Sequence, residues 1–185
     1  MKRFIVLMGV ILGFIMIGVL VWQSDNSKQN TFLKSHNLEG LSIQEIVDYL
    51  ERKTDEPAGF KASITGTKLI LGDEFSSFDL AVPKGLFYLS FAPYVDQTHP
   101  CGNHNLVTCT GELKSTVFQV TITDLNTGTN IYDGSLRSSA KGFVGIWLPR
   151  GKTLRITVRY GDLSATSIVT TNYDSDTCLT TLRLN

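Results

Sequence analysis

The chain has 185 residues, a hydrophobic fraction of 42%, and 17 Lys and Arg against 17 Asp and Glu. A chain of this length and composition can bury a hydrophobic core, which excludes a disordered tail. The zero formal charge disfavours nucleic-acid binding, because no basic excess is available to neutralise phosphates. Only three Cys and three His are present, and an odd number of Cys cannot all pair within one chain.

The N-terminus carries an uninterrupted run of apolar residues and Gly over residues 4–22, behind Lys2 and Arg3. A helix over this run is about 28 Å long, enough to cross a bilayer. The run is also typical of a secretory signal peptide, but no pair of small residues for cleavage follows it. We therefore predict a signal that stays as a membrane anchor over residues 1–23. The rest of the chain is then exported, to the periplasm or the outer face of the cytoplasmic membrane.

The segment after the anchor predicts a tether and then a small folded domain. Residues 24–35 begin with a polar stretch that lacks periodicity and predicts the tether. Ser42 and Glu45 have the spacing of a capping box, and apolar residues at helical spacing after Ser42 predict a helix over residues 42–54. Three apolar runs predict strands over residues 60–64, 68–71 and 78–82. Residues 36–83 are therefore predicted to form a small α+β domain.

From residue 84 onward the sequence alternates short strands with turn signals. Seven strands are predicted, over residues 86–91, 117–122, 129–136, 143–148, 154–160, 165–171 and 179–184. Strands at this spacing are typical of an immunoglobulin-like antiparallel β-sandwich, here over residues 84–185. The predicted fold class is mainly β, α+β overall: a small N-terminal domain of a helix and strands, followed by the sandwich.

One segment, residues 92–112, interrupts this strand pattern. At about twenty residues it is much longer than a hairpin requires, and such long loops are usually functional or disordered. Its Cys, His and Pro content argues against disorder, and its candidate ligands are Cys101, Cys109, His99 and His104. Cys178 lies just before the last predicted strand. Because loops at one end of a sandwich lie close together, we expect the three Cys to converge.

Three convergent thiolates form a soft set of metal ligands. Cu(I) prefers sulfur and accepts three ligands, whereas Zn(II) would take the same three and a His. The pattern of residues is compatible with both Cu(I) and Zn(II). A pair of thiols that gives up two electrons can also reduce two Cu(II) to Cu(I). His104 follows a Gly-Asn turn that can fold it back towards Cys101, while His99 is held extended by Pro100.

The alternative use of the same Cys is a structural disulfide. A bond between Cys101 and Cys109 would stabilise a cell-surface interaction module that binds no metal. A thiol oxidoreductase is disfavoured because the chain has no CxxC pair. No nucleophile motif, P-loop or HExxH motif is present, so the residues favour a metal-binding protein over an enzyme. His36 lies outside the cluster and is predicted to be structural or exposed to solvent.

Three stretches of the sequence resemble the CueP family of exported copper-binding, copper-resistance proteins. They are FAPYVDQTHPCGNHNLVTCTGEL, YDGSLRSSAKGFVGIWLP and DSDTCLTTLRLN. The resemblance implies that Cys101, Cys109 and Cys178 are copper ligands, and that the protein binds Cu(I) and reduces Cu(II). It also implies an N-terminal domain that forms a homodimer and delivery of copper, as a metallochaperone, to an exported copper-zinc superoxide dismutase.

Overall fold

The structure is a computed structural model that describes residues 27–185. The anchor predicted over residues 1–23, and the first residues of the tether, lie outside the described residues. Among residues 27–185, no helix is long and apolar enough to cross a membrane. The chain divides into two compact units, Met1–Leu41 and Ser42–Asn185.

The described part of the first unit contains helix α1, over residues 27–35. This helix lies within the segment predicted as a tether. Thr31 Oγ1 donates a hydrogen bond to the carbonyl of Ser27 at 2.9 Å, and Phe32 is buried. The ring of His36 lies 4.5 Å from the ring of Phe32. The polar composition of the segment conceals the helix, because Phe32 is the one buried residue within residues 27–35.

The second unit begins with helix α2, Ile43–Arg52. The predicted capping box is present: Ser42 N donates to Glu45 Oε2 at 2.8 Å, and Glu45 N donates to Ser42 Oγ at 3.3 Å. The predicted helix over residues 42–54 is therefore confirmed, with its end at Arg52. Its buried residues are Ile46, Val47, Leu50 and Glu51. A carboxylate thus lies on the apolar face of this helix.

A four-stranded antiparallel sheet follows α2, with the strand order β3-β2-β1-β5. Its strands are β1 (Lys61–Ile64), β2 (Lys68–Gly72), β3 (Ser77–Ala81) and β5 (His104–Asn105). The first three agree with the sequence prediction, whereas β5 comes from the long loop and was not predicted. Ile64 of β1 is paired with His104, and Ser63 with Asn105. This pairing fixes a candidate metal ligand to the edge of the small sheet.

Two further sheets form a β-sandwich around one hydrophobic core. One has the order β10-β9-β6-β7 and the other β11-β4-β8. The strands are β4 (Leu86–Phe91), β6 (Val117–Asp124), β7 (Asn130–Arg137), β8 (Val144–Pro149), β9 (Thr153–Tyr160), β10 (Leu163–Thr170) and β11 (Cys178–Leu179). Both sheets contribute to the core, with Phe87 and Phe91 from one and Phe118 and Ile156 from the other. The mainly β, α+β fold class is confirmed.

The last predicted strand differs from the structure. A strand was predicted over residues 179–184 in an antiparallel sandwich, but β11 has two residues and pairs with β4 in parallel. After β11 the chain continues beside residues 92–94: Tyr94 N donates to the carbonyl of Leu182, and Leu184 N donates to that of Tyr94. The parallel course places Cys178 opposite Ser90 and next to the start of the long loop.

The long loop between β4 and β6 is held by hydrogen bonds to one of its own carboxylates and to the β7–β8 connection. A single carboxylate oxygen, Glu112 Oε2, accepts hydrogen bonds from the backbone N–H groups of Val95, Asp96 and Gln97. Gly111 N donates to the carbonyl of Lys141 at 2.6 Å. Gly142 has a φ of 89°, and a Cβ at this position would overlap the backbone of Gly111. Glycine is therefore required where the end of the loop crosses the β7–β8 connection.

Candidate metal centre

The backbone around His104 and Cys178 is tied together by a buried threonine. His104 N donates to Thr177 Oγ1 at 2.9 Å, and Thr177 Oγ1 donates to the carbonyl of Ile64 at 2.6 Å. Cys178 N donates to the carbonyl of Gly102 at 2.9 Å. These bonds connect β1, the long loop and the loop before β11, so two separate loops meet at one place.

A turn between His104 and Cys109 returns the second Cys to the same place. Asn105 Oδ1 accepts hydrogen bonds from Val107 N and Thr108 N, both at 2.9 Å. Cys109 N then donates to the carbonyl of Asn105 at 3.2 Å. Asn commonly closes such turns because its short side chain can accept bonds from the backbone two and three residues further on.

Four potential ligand atoms converge at the meeting point of these loops. The side-chain donors of Cys101, His104, Cys109 and Cys178 all lie within 4.8 Å of one another. Cys101 Sγ is 3.6 Å from Cys109 Sγ, and Cys178 Sγ is 3.7 Å from His104 Nδ1. The three Cys therefore meet, as expected, although the parallel pairing of β11 with the end of β4 brings Cys178 there. Whether they bind metal stays a prediction.

The environment of the four donors suits a soft metal ion. His104 and Cys178 are buried, Cys101 and Cys109 are partly buried, and the apolar side chains of Ala92 and Phe143 pack around the three Cys. No carboxylate belongs to this group of donors among residues 27–185. Sulfur and imidazole without a carboxylate favour copper or zinc over hard cations such as magnesium or calcium.

The three sulfurs also support a disulfide. Cys101 and Cys178 are bonded, with their Cα atoms 5.6 Å apart, and Cys109 is a free thiol. The alternative interpretation of the sequence placed this bond between Cys101 and Cys109. The parallel pairing of β11 with β4 explains the difference, because it brings the Cys178 backbone next to Gly102, the neighbour of Cys101.

His99, the fifth predicted site residue, lies outside the group of four donors. Its ring lies 6.1 Å from that of Phe143, and it lines a surface cavity together with Thr110 and Glu112. Its predicted role as a ligand stays a prediction.

Comparison with known proteins identifies the family. A family model described as "Periplasmic copper-binding protein CueP" matches residues 45–183. The chain belongs to the CueP family. Its fold is similar to that of a crystal structure described as "Crystal Structure of S.CueP", with 39% sequence identity and a TM-score of 0.81. The similarity covers 85% of this chain and 97% of that chain. A comparison with curated protein sequences gives no match.

Sequence reasoning missed one residue that contacts the group of donors, Glu51 of helix α2. Its Oε2 lies 2.9 Å from His104 Nε2, and its Oε1 accepts a hydrogen bond from Ser90 Oγ at 3.3 Å. Glu51 and His104 are both buried. The signal was present in the sequence: Glu51 lies four residues after Val47, on the apolar face of a helix, where a carboxylate requires a partner.

The contacts of His104 with Glu51 and Cys109 change the pKa values of His104 and Cys109. Burial lowers the pKa of His104, but hydrogen bonds to Cys109 and Glu51 outweigh burial and raise it to about 9. Burial raises the pKa of the Cys109 thiol, but the hydrogen bonds to His104 and the Asn105 backbone lower it further, leaving it below its ordinary value. The Cys109 thiol therefore ionises more readily than an ordinary Cys, because the imidazole of His104 lies beside it.

We expect the His104→Ala variant to slow the alkylation of Cys109 several-fold at neutral pH in the disulfide form. Without the imidazole, the pKa of the thiol rises and the fraction of thiolate falls. The rate is measured with iodoacetamide and mass spectrometry of the Cys109 peptide. His99→Ala is the matched control and should leave the rate unchanged. Equal rates in the wild-type and His104→Ala proteins would contradict the assigned interaction.

Proposed function

We propose that this protein captures copper as Cu(I) through the thiolates of Cys101, Cys109 and Cys178. The observation that carries the proposal is the convergence of these sulfurs and His104 Nδ1 within 4.8 Å. Cu(I) is a soft ion and accepts three sulfur ligands, so the three thiolates would supply most of its first shell. His104 lies next to Cys178 and Cys109, where it tunes the site or controls access to it.

The same sulfurs provide electrons for the reduction of Cu(II). Cys101 and Cys178 together lose two protons and two electrons when they form their disulfide, and two Cu(II) ions become two Cu(I) ions. The disulfide between these residues supports this step. It also removes two of the three proposed ligands. Capture in the three-sulfur site therefore requires the reduced protein, and an external thiol reductant must restore the site after each round of reduction.

An anaerobic titration tests the proposal. The fully reduced protein should take up one Cu(I) per chain in competition with a chromophoric Cu(I) chelator, and excess Zn(II) should not displace it. Displacement by zinc would favour the Cys3His zinc site, and no uptake of copper would favour the module that binds no metal. The membrane anchor, the homodimer and delivery to a copper-zinc superoxide dismutase stay predictions.

A further inference from the structure

The ring of His104 has a defined orientation because each of its nitrogens faces a different group. Nε2 points at the carboxylate of Glu51, at 2.9 Å. Nδ1 points at the sulfurs, 3.7 Å from Cys178 Sγ. The ring of Phe143 packs against the imidazole, with the ring centroids 4.7 Å apart. A rotation of the ring would break the bond to Glu51 and turn Nδ1 away from the cluster.

A buried lysine fixes the two backbone segments that carry this pair. Lys141 Nζ donates to the carbonyl of Leu50 at 2.8 Å and also to the carbonyl of Leu106. Leu50 directly precedes Glu51, and Leu106 follows His104 by two residues. Lys141 is buried, and it also lies close enough to interact electrostatically with the Glu51 carboxylate. The ammonium group therefore bridges helix α2 and the long loop next to the metal centre.

Stability alone does not account for these buried charges. Removing a carboxylate and an ammonium group from water is costly, and well-packed apolar residues are often as stabilising as a buried ion pair. Carboxylates that hydrogen-bond to the far nitrogen of a metal-binding His orient its ring, and such partners change metal affinity by about ten- to a hundredfold. The position of Glu51 fits this orienting role.

We propose that Glu51 is a positioning residue for the copper site. Its carboxylate holds the imidazole of His104 with Nδ1 towards the three Cys, and Lys141 fixes Glu51 and His104 relative to each other. Helix α2, which contributes no sulfur, is thereby part of the metal centre. The inference rests on the proposed function in that the bound ion is Cu(I), but the orientation of His104 is a property of the protein without metal.

The first test compares two substitutions in the reduced full-length chain, with mild detergent present because of the apolar residues 4–22. Glu51→Leu removes the acceptor but keeps a side chain of similar size, and should lower Cu(I) affinity by about ten- to a hundredfold. Glu51→Gln keeps an acceptor oxygen and should bind nearly as tightly as the wild type. Asp124→Asn is the matched control, because it alters another buried carboxylate, paired with Lys152, in the sandwich.

Three results would contradict the positioning role of Glu51. Glu51→Leu binding Cu(I) like the wild type would overturn the inference, as would an equal loss in the Leu and Gln variants. A double variant, Glu51→Leu with His104→Ala, should bind no more weakly than His104→Ala alone. Losses that simply add would show that Glu51 does not act through His104.

A second measurement needs no copper and keeps the inference separate from the proposed function. In the NMR spectrum of the metal-free protein, the Nε2 proton of His104 should give a slowly exchanging, far-downfield signal. This signal should vanish in Glu51→Leu and persist in Asp124→Asn. Its absence from the wild-type protein would overturn the positioning role even if Cu(I) binds. If the signal is present and Cu(I) does not bind, only the proposed function fails.

Discussion

Cys101→Ser, Cys109→Ser and Cys178→Ser are each expected to weaken Cu(I) binding by orders of magnitude in the reduced protein. The three sulfurs lie in one group with His104 Nδ1, and a serine hydroxyl is a hard ligand that does not replace a thiolate on Cu(I). Each substitution leaves two thiolates, which cannot complete a three-sulfur site. Affinity is measured by anaerobic competition with a Cu(I) chelator.

The control for this series is Thr108→Ala, which changes an exposed side chain next to Cys109 and should bind Cu(I) normally. The comparison is made under reducing conditions, since loss of the Cys101–Cys178 disulfide typically costs about 2–5 kcal/mol of stability in a small secreted domain. A Ser variant with wild-type affinity would remove that Cys from the site.

Reduction of Cu(II) is expected to depend on a different subset of the Cys. When excess Cu(II) is added to the reduced protein with a Cu(I) chelator present, about two Cu(I) per chain should form as the Cys101–Cys178 bond closes. Cys109→Ser should keep this reaction, although it loses tight binding. Cys101→Ser should lose it, because Cys101 is the residue adjacent to both other sulfurs.

Thiol counting and peptide mapping identify which residues were oxidised. The wild-type protein should retain one free thiol, Cys109, after the reaction. Loss of Cu(II) reduction in Cys109→Ser, or a product with Cys109 in the disulfide, would contradict the assignment of electron donors. The Cys109→Ser variant is thus expected to separate Cu(I) binding from Cu(II) reduction.

The elements that the sequence predicted well are those with short-range signals. The capping box at Ser42 marks the start of α2 within one residue, and alternation predicts most sandwich strands. Convergence of the Cys was predicted from a general feature of sandwiches, but the structure achieves it differently: the parallel pairing of β11 with the end of β4 brings Cys178 to the long loop. These signals depend on residues that are neighbours in the chain or on a general property of the fold.

The parts that were not predicted depend on contacts between distant residues. Glu51 and His104 are 53 positions apart, and the two-residue strand β5 exists only because β1 offers an edge beside it. The disulfide partner of Cys101 depends on the parallel course of β11, which no local pattern specifies. Helix α1 was missed because its sequence is mostly polar.

The central claim is tested most directly by X-ray absorption at the copper edge of the reduced protein loaded with one Cu(I). The account predicts a first shell dominated by sulfur, from Cys101, Cys109 and Cys178. A first shell dominated by nitrogen or oxygen would contradict it.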